Sequence, residues 1–141
     1  GESLKPLSQV ASGGELSRIM LAIKTVLAGR DEIDTLIFDE IDTGISGRTA
    51  WKVAEQLSVL SGAHQVICIT HLPQIAAMAD VHFVIEKSST DDMTITDIHK
   101  VSAEESLAEL ARLLGSDALT EAALSNAKEM KEQAGMFKET R

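Results

Sequence analysis

Short, uninterrupted apolar runs alternate along the chain with stretches in which apolar residues recur every three to four positions. Two runs stand out, Thr35–Phe38 (TLIF) and Gln65–Thr70 (QVICIT). Their brevity and β-branched content predict strands buried on both faces, as in a parallel α/β sheet. Between them Ala50, Val53, Ala54, Leu57 and Leu60 repeat at helical spacing, with Ser46 placed as N-cap and Gly62 as stop. Trp51 lies next to that stripe and reads as packing. A strand, a helix and a second strand in this order predict a βαβ unit with parallel strands and a right-handed crossover.

The flanking segments follow the same logic. Gly1–Val10 has no period and reads as an extended lead-in, with Pro6 discouraging helix just before it. Leu16, Ile19, Met20, Ile23, Val26 and Leu27 then share one helical face, with Gly29 as the C′ stop. Pro73 to Asp80 reads as a short helix and Val81–Glu86 as a third strand. A polar turn through Ser88 to Asp92 leads into Met93–Lys100, expected as an antiparallel partner at the sheet edge. Ser102 and Glu105 form a capping box for a helix with Leu107, Leu110, Ala111 and Leu114 on one face, ended by Gly115. A last helix, about Thr120 to Gln133, presents Ala122, Ala123, Ala127 and Met130, and Gly135–Arg141 is expected to fray. The fold class is therefore α/β: a mainly parallel sheet with flanking helices and an antiparallel edge hairpin.

Composition narrows the picture. At 141 residues the chain is about one domain, with 44% hydrophobic residues, 3% aromatics and no Tyr, so its core is mostly aliphatic. The net charge of −9 argues against a face that grips nucleic-acid phosphates over a wide area. Cys68, the one cysteine, cannot form an internal disulfide, and no run is long enough to span a bilayer. The cytoplasm is the default expectation. His82 and His99 lack ligand spacing and read as structural.

The chemistry concentrates where the first strand ends. Its apolar run passes directly into Asp39 and Glu40, and stripping a carboxylate of water costs several kcal/mol or more, so both belong at the carboxyl edge of the sheet. One carboxylate to hold a hard cation and a second to handle water is the Walker B arrangement of nucleotide hydrolases. A plain acidic turn is the simpler alternative. The βαβ topology places His71, at the end of the second strand, on the same edge. Upstream, Ser12 and Glu15 satisfy a capping box, but capping alone does not account for Gly13 and Gly14 in the first turn. Glycine there is tolerated best where something approaches the backbone closely, and a bare helix N-terminus suits a phosphate.

Taken together, Ser12-Gly13-Gly14-Glu15, Asp39-Glu40-Ile41-Asp42 and His71 resemble the second half of an ABC-type ATPase head, from signature motif to chain end. Glu15, where transporters commonly have Gln, and the Asp39–Asp42 sequence resemble the SMC and Rad50 branch of chromosome-handling ATPases. Three longer stretches, SQVASGGELSR from Ser8, FDEIDTGISG from Phe38 and THLPQIAAMAD from Thr70, resemble bacterial DNA-repair members of that branch; the likeness weakens after about Glu86.

The resemblance implies a division of labour. Asp39 would position Mg²⁺, Glu40 would polarise the attacking water, and His71 would touch the γ-phosphate. Ser12, Gly13, Gly14 and Glu15 would clamp the γ-phosphate of ATP held by a second head. Asp42, Thr43, Gly44 and Ser46 would form the D-loop, with Ser46 where many relatives have Asp. No G-x-x-x-x-G-K-[ST] occurs in the sequence. The resemblance therefore implies a partner lobe carrying Walker A, upstream of a coiled coil, besides the second head, and little hydrolysis by these 141 residues alone. The sheet would then show an unpaired edge open to self-association. DNA would be met through the full-length protein, a nucleoid-associated one with no membrane role; Arg18 and Lys24 are candidates for coupling or DNA contact. A transporter nucleotide-binding domain and a non-catalytic dimerisation module are the alternatives. Glu15 and Asp39–Asp42 speak against the first, and the joint presence of Ser12, Glu40 and His71 speaks against the second.

Overall fold

The computed structural model describes residues 11–27, 30, 32–89, 93–115 and 119–140. The lead-in over 1–10, the Gly29 stop and the centre of the turn at 90–92 lie outside them. The described elements are α1 (Gly13–Val26), β1 (Thr35–Phe38), α2 (Gly47–Leu60), β2 (Gln65–Cys68), α3 (Pro73–Met78), β3 (Phe83–Ser89), β4 (Thr94–Lys100), α4 (Ala103–Leu113) and α5 (Glu121–Glu139).

The βαβ unit forms as the pattern predicts. β1 and β2 pair in parallel from Thr35 opposite Gln65 to Phe38 opposite Cys68, and the Ile69 N–H extends the ladder by donating to the Phe38 carbonyl. Every residue of the α2 stripe, Ala50, Val53, Ala54, Leu57 and Leu60, is buried. Val53, Ala54, Leu57 and Leu60 meet Leu21, Phe38, Ile41, Ile75, Met78 and Ala134 in the main core. A second cluster joins Ala76 and Ala77 of α3 to Leu110 and Ala111 of α4 and to Ala127 and Met130 of α5. Trp51 packs against both clusters, which is the packing role its position suggested.

Four expectations need correcting. First, the strands are not buried on both faces: Ile37 is 68% exposed and Ile67, its register partner, 45%. Among the described residues the parallel sheet has two strands, and no element packs closely enough over Ile37 and Ile67 to bury them. Second, the hairpin β3–β4 is a sheet of its own and does not edge the parallel one, and β3 starts at Phe83 and not at Val81.

Third, the apolar stripe of α1 points outward. Leu16, Ile19, Met20, Ile23, Val26 and Leu27 are all exposed, while Gly14 and Leu21 are buried. The periodicity located an apolar face; the helix is seated by the other side, through Gly14, Ser17, Arg18 and Leu21. Fourth, the segment expected to fray from Gly135 is helical as far as Glu139. α5 continues to Glu139 because Ala134 is buried, Phe137 packs on the main core and Lys138 pairs with Asp80.

Both capping boxes form. Ser12 and Ser102 each accept from the N–H three residues on, and Glu15 and Glu105 accept from the cap N–H in return. These bonds favour the ionised side chain, so both carboxyls titrate below the usual range. α4 ends at Gly115, whose φ of +87° is the left-handed stop that glycine supplies. His82 bonds Ser106 and His99 bonds Asp97, consistent with structural roles. Burial, then Lys131, lowers the His82 pKa.

Candidate functional site at the carboxyl edge of the parallel strands

Because β1 and β2 run parallel, the residues that follow them emerge on one edge. Asp39 and Glu40 leave β1 there, and Thr70 and His71 follow β2. Asp39 and Glu40 are exposed, as expected for charges at a sheet edge, and His71 is exposed beside them. The Asp39 carboxylate accepts from the Glu40 N–H at 2.8 Å.

The backbone then turns sharply. Glu40 has φ +56°, a left-handed conformation that a non-glycine residue adopts at a cost. Thr43 N–H donates to the Glu40 carbonyl at 3.0 Å, closing the turn, and Gly44 at φ +76° continues it. Ser46 stands at the N-cap of α2, but its hydroxyl makes no capping bond, so its assignment as a side-chain cap is not met.

α1 is clamped onto this turn. Ser17 Oγ donates to the Asp39 carbonyl at 2.8 Å, and Arg18 Nη1 donates to the carbonyls of Ile41 and Thr43 at 3.0 and 2.9 Å. The two glycines make the approach possible. A Cβ on Gly14 would stand 2.8 Å from the Glu40 carbonyl and 2.9 Å from that of Thr43, and one on Gly13 would overlap the Glu40 carboxylate. The close neighbour that the glycines admit is, within this chain, its own acidic turn. Ser12 remains exposed at the helix start, where its Oγ donates to Glu15 at 3.0 Å.

The turn is also tied to β2. Asp42 is 4% exposed; its Oδ2 accepts from Thr70 Oγ1 at 2.7 Å and from the His71 N–H at 2.8 Å, and lies 3.0 Å from His71 Nδ1, within ion-pair distance. Thr43, Gly44 and Ser46 face solvent, but Asp42 is turned inward. Burial first, then the nearby Asp42 and Asp39 carboxylates, push the Cys68 thiol up to about 12.

The edge thus brings together the motif residues singled out from sequence: Ser12–Glu15 at the helix start, Asp39, Glu40 and the Asp42–Ser46 turn after β1, and His71 after β2. It adds Ser17 and Thr70, which carry no sequence signal beyond being hydroxyls beside motif residues. Arg18, a candidate for coupling or DNA contact, binds the turn through Nη1. No cluster of three or more His, Cys, Asp or Glu able to hold a metal occurs among the described residues. A closed ion cage is not what Mg²⁺ requires, since it is held by one or two carboxylates with phosphate and water completing its shell. Asp39 fits that single-carboxylate role.

The fold and this edge define an α/β lobe in which a glycine-opened helix, an acidic strand end and a histidine converge. No protein-family model matches the chain. Curated proteins do: the chain belongs to the RecN family of DNA repair proteins and corresponds to its C-terminal region. It is 48% identical over 140 residues to DNA repair protein RecN of Bacillus subtilis, covering 99% of this chain and 24% of that protein. With the protein of the same name from Treponema pallidum it shares 52% over 130 residues, 92% of this chain and 23% of the relative. For that of Streptomyces coelicolor the figures are 40% over 134 residues, 95% and 23%. The chain therefore spans about a quarter of the length of these relatives. Among the described residues no helix is long and apolar enough to cross a membrane.

Proposed function

We propose that this chain is the C-terminal lobe of an ABC-type ATPase head in a RecN-like DNA double-strand-break repair and recombination protein. ATP is its substrate, bound between two heads. The observation that carries this reading is the convergence of Ser12–Glu15, Asp39–Glu40 and His71 on one edge. Relatives named for DNA repair support the biological setting.

ATP hydrolysis needs positioning and charge neutralisation more than covalent help, and the edge offers both. Asp39 would hold Mg²⁺, which would supply neutralisation of phosphate charge. Glu40 accepts a hydrogen bond from the attacking water and aims it. His71 meets the γ-phosphate from the neighbouring strand. The start of α1, where Ser12 is exposed, faces the γ-phosphate of ATP held by the second head. Removal of one such electrostatic group costs on the order of 10²-fold in rate.

Two partners follow from this reading. One is the second head. The other is the protein's own N-terminal Walker A lobe, and the uncovered apolar side chains of α1 and of Ile37 and Ile67 are the surface it covers. DNA is met by the full-length protein in the cytoplasm, at the nucleoid; a net charge of −9 supports a DNA surface elsewhere in the assembly. In the full-length protein, Glu40→Gln should allow ATP binding, block turnover and accumulate an ATP-bound dimer in size-exclusion chromatography with light scattering. Wild-type turnover with no such dimer would refute the proposal.

A further inference from the structure

Asp42 is the most heavily committed charged side chain of the edge. One of its oxygens, in a residue 4% exposed, accepts from Thr70 Oγ1 at 2.7 Å and from the His71 backbone N–H at 2.8 Å, and lies 3.0 Å from His71 Nδ1. A carboxylate oxygen is an acceptor only, so its approach to this ring nitrogen favours a proton on Nδ1 in either charge state of the ring. The His71 side chain is otherwise 71% exposed, and its Nε2 is the nitrogen left for a ligand.

We propose that Asp42 is a positioning residue for His71. It selects the ring form with the proton on Nδ1, and with the backbone bond at the same oxygen it fixes where Nε2 lies. Carboxylates that fix metal-bound or catalytic histidines work in the same way, through the nitrogen that does not meet the ligand. Nε2 then meets a phosphoryl oxygen as a donor when the ring is charged and accepts from water when it is neutral. Thr70 has the accessory part of holding the carboxylate in place; its Oγ1 also accepts from the Leu72 N–H at 3.0 Å, which ties the pin to the segment entering α3. The inference rests on the ATP reading only for what Nε2 touches.

The test separates the two. In the ¹⁵N-histidine-labelled chain at pH 9, long-range ¹H–¹⁵N correlations report which ring nitrogen of His71 is protonated. The expected result is Nδ1–H in the wild type and a switch toward Nε2–H in Asp42→Asn, whose amide can donate to Nδ1. Thr70→Val, which leaves the Asp42–His71 contact in place, should retain Nδ1–H. An Nε2–H ring in the wild type, or identical spectra with and without Asp42, overturns the inference, and the wild-type measurement needs no variant to fold. In the full-length protein Asp42→Asn should lower ATP turnover about 10-fold or more with a smaller effect on KM. A ring that switches while turnover is unchanged upholds the positioning and refutes the ATP role of His71.

Discussion

The carboxylate of Glu40 lies over the bare α-carbon of Gly13, in the space a Cβ would occupy. The residue assigned to water activation and the residue assigned to a phosphate clamp are thus in contact within one chain. The two glycines nevertheless have different neighbours: the flexible end of a side chain over Gly13, and two backbone carbonyls beside Gly14.

That difference predicts a split between Gly13→Ala and Gly14→Ala. At Gly14 the carbonyls of Glu40 and Thr43 cannot yield without moving the turn, and overpacking of this kind costs about 1–3 kcal/mol. At Gly13 the Glu40 side chain can swing away, and alanine regains up to about 1 kcal/mol of helix propensity. Gly14→Ala should lower the melting temperature clearly. Gly13→Ala should leave it nearly unchanged while reducing ATP turnover in the full-length protein. Thermal unfolding and steady-state turnover, measured together, check both.

Arg18→Ala should loosen the acidic turn. It removes a charged donor shared by the Ile41 and Thr43 carbonyls, each such bond being worth about 1.5–3 kcal/mol in favourable surroundings. Hydrogen exchange should quicken at the Thr43 amide, which closes the turn on Glu40, while α4 and α5 keep their protection. Lysine at position 18 should recover only part of the effect, since its single ammonium does not reproduce the planar geometry of the guanidinium.

Cys68 should resist alkylation well above the ordinary thiol range. Its pKa is pushed up to about 12 by burial first, then by Asp42 and Asp39, from an ordinary 9.0. The folded chain therefore keeps a proton that the unfolded chain releases above pH 9. The unfolded state binds fewer protons there, so this group makes stability fall as pH rises from about 9 to 12 and has no effect below. Cys68→Ser should flatten that alkaline decline in urea titrations, and iodoacetamide labelling of the native wild type at pH 9 should be far slower than in urea.

The sequence makes the strands, the α2 stripe and the two capping boxes legible because each is a local or strictly periodic signal. Parallel pairing then carries His71 to the side of Asp39 and Glu40 with no further information. What stays hidden depends on partners distant in sequence. Leu16 to Leu27 reads as a core face, yet which side of α1 is seated depends on hydrogen bonds from Ser17 and Arg18 to a turn more than twenty residues away. Helix beyond Gln133 depends on Phe137 reaching the core and Lys138 reaching Asp80. The inward turn of Asp42 depends on Thr70 and His71, and no motif containing Asp42 announces it.

The account's central claim is that one working site is assembled from Ser12 of one head and Glu40 of another. It is tested most directly by mixing two inactive full-length variants, Ser12→Arg and Glu40→Gln, and measuring ATP turnover. Each mixed dimer then holds one site with both residues intact, so turnover should reappear on mixing, while wild type mixed with the double variant gains none from its mixed dimers. If mixing restores nothing although mixed dimers form, Ser12 and Glu40 do not serve a shared site across two heads, and the account is wrong.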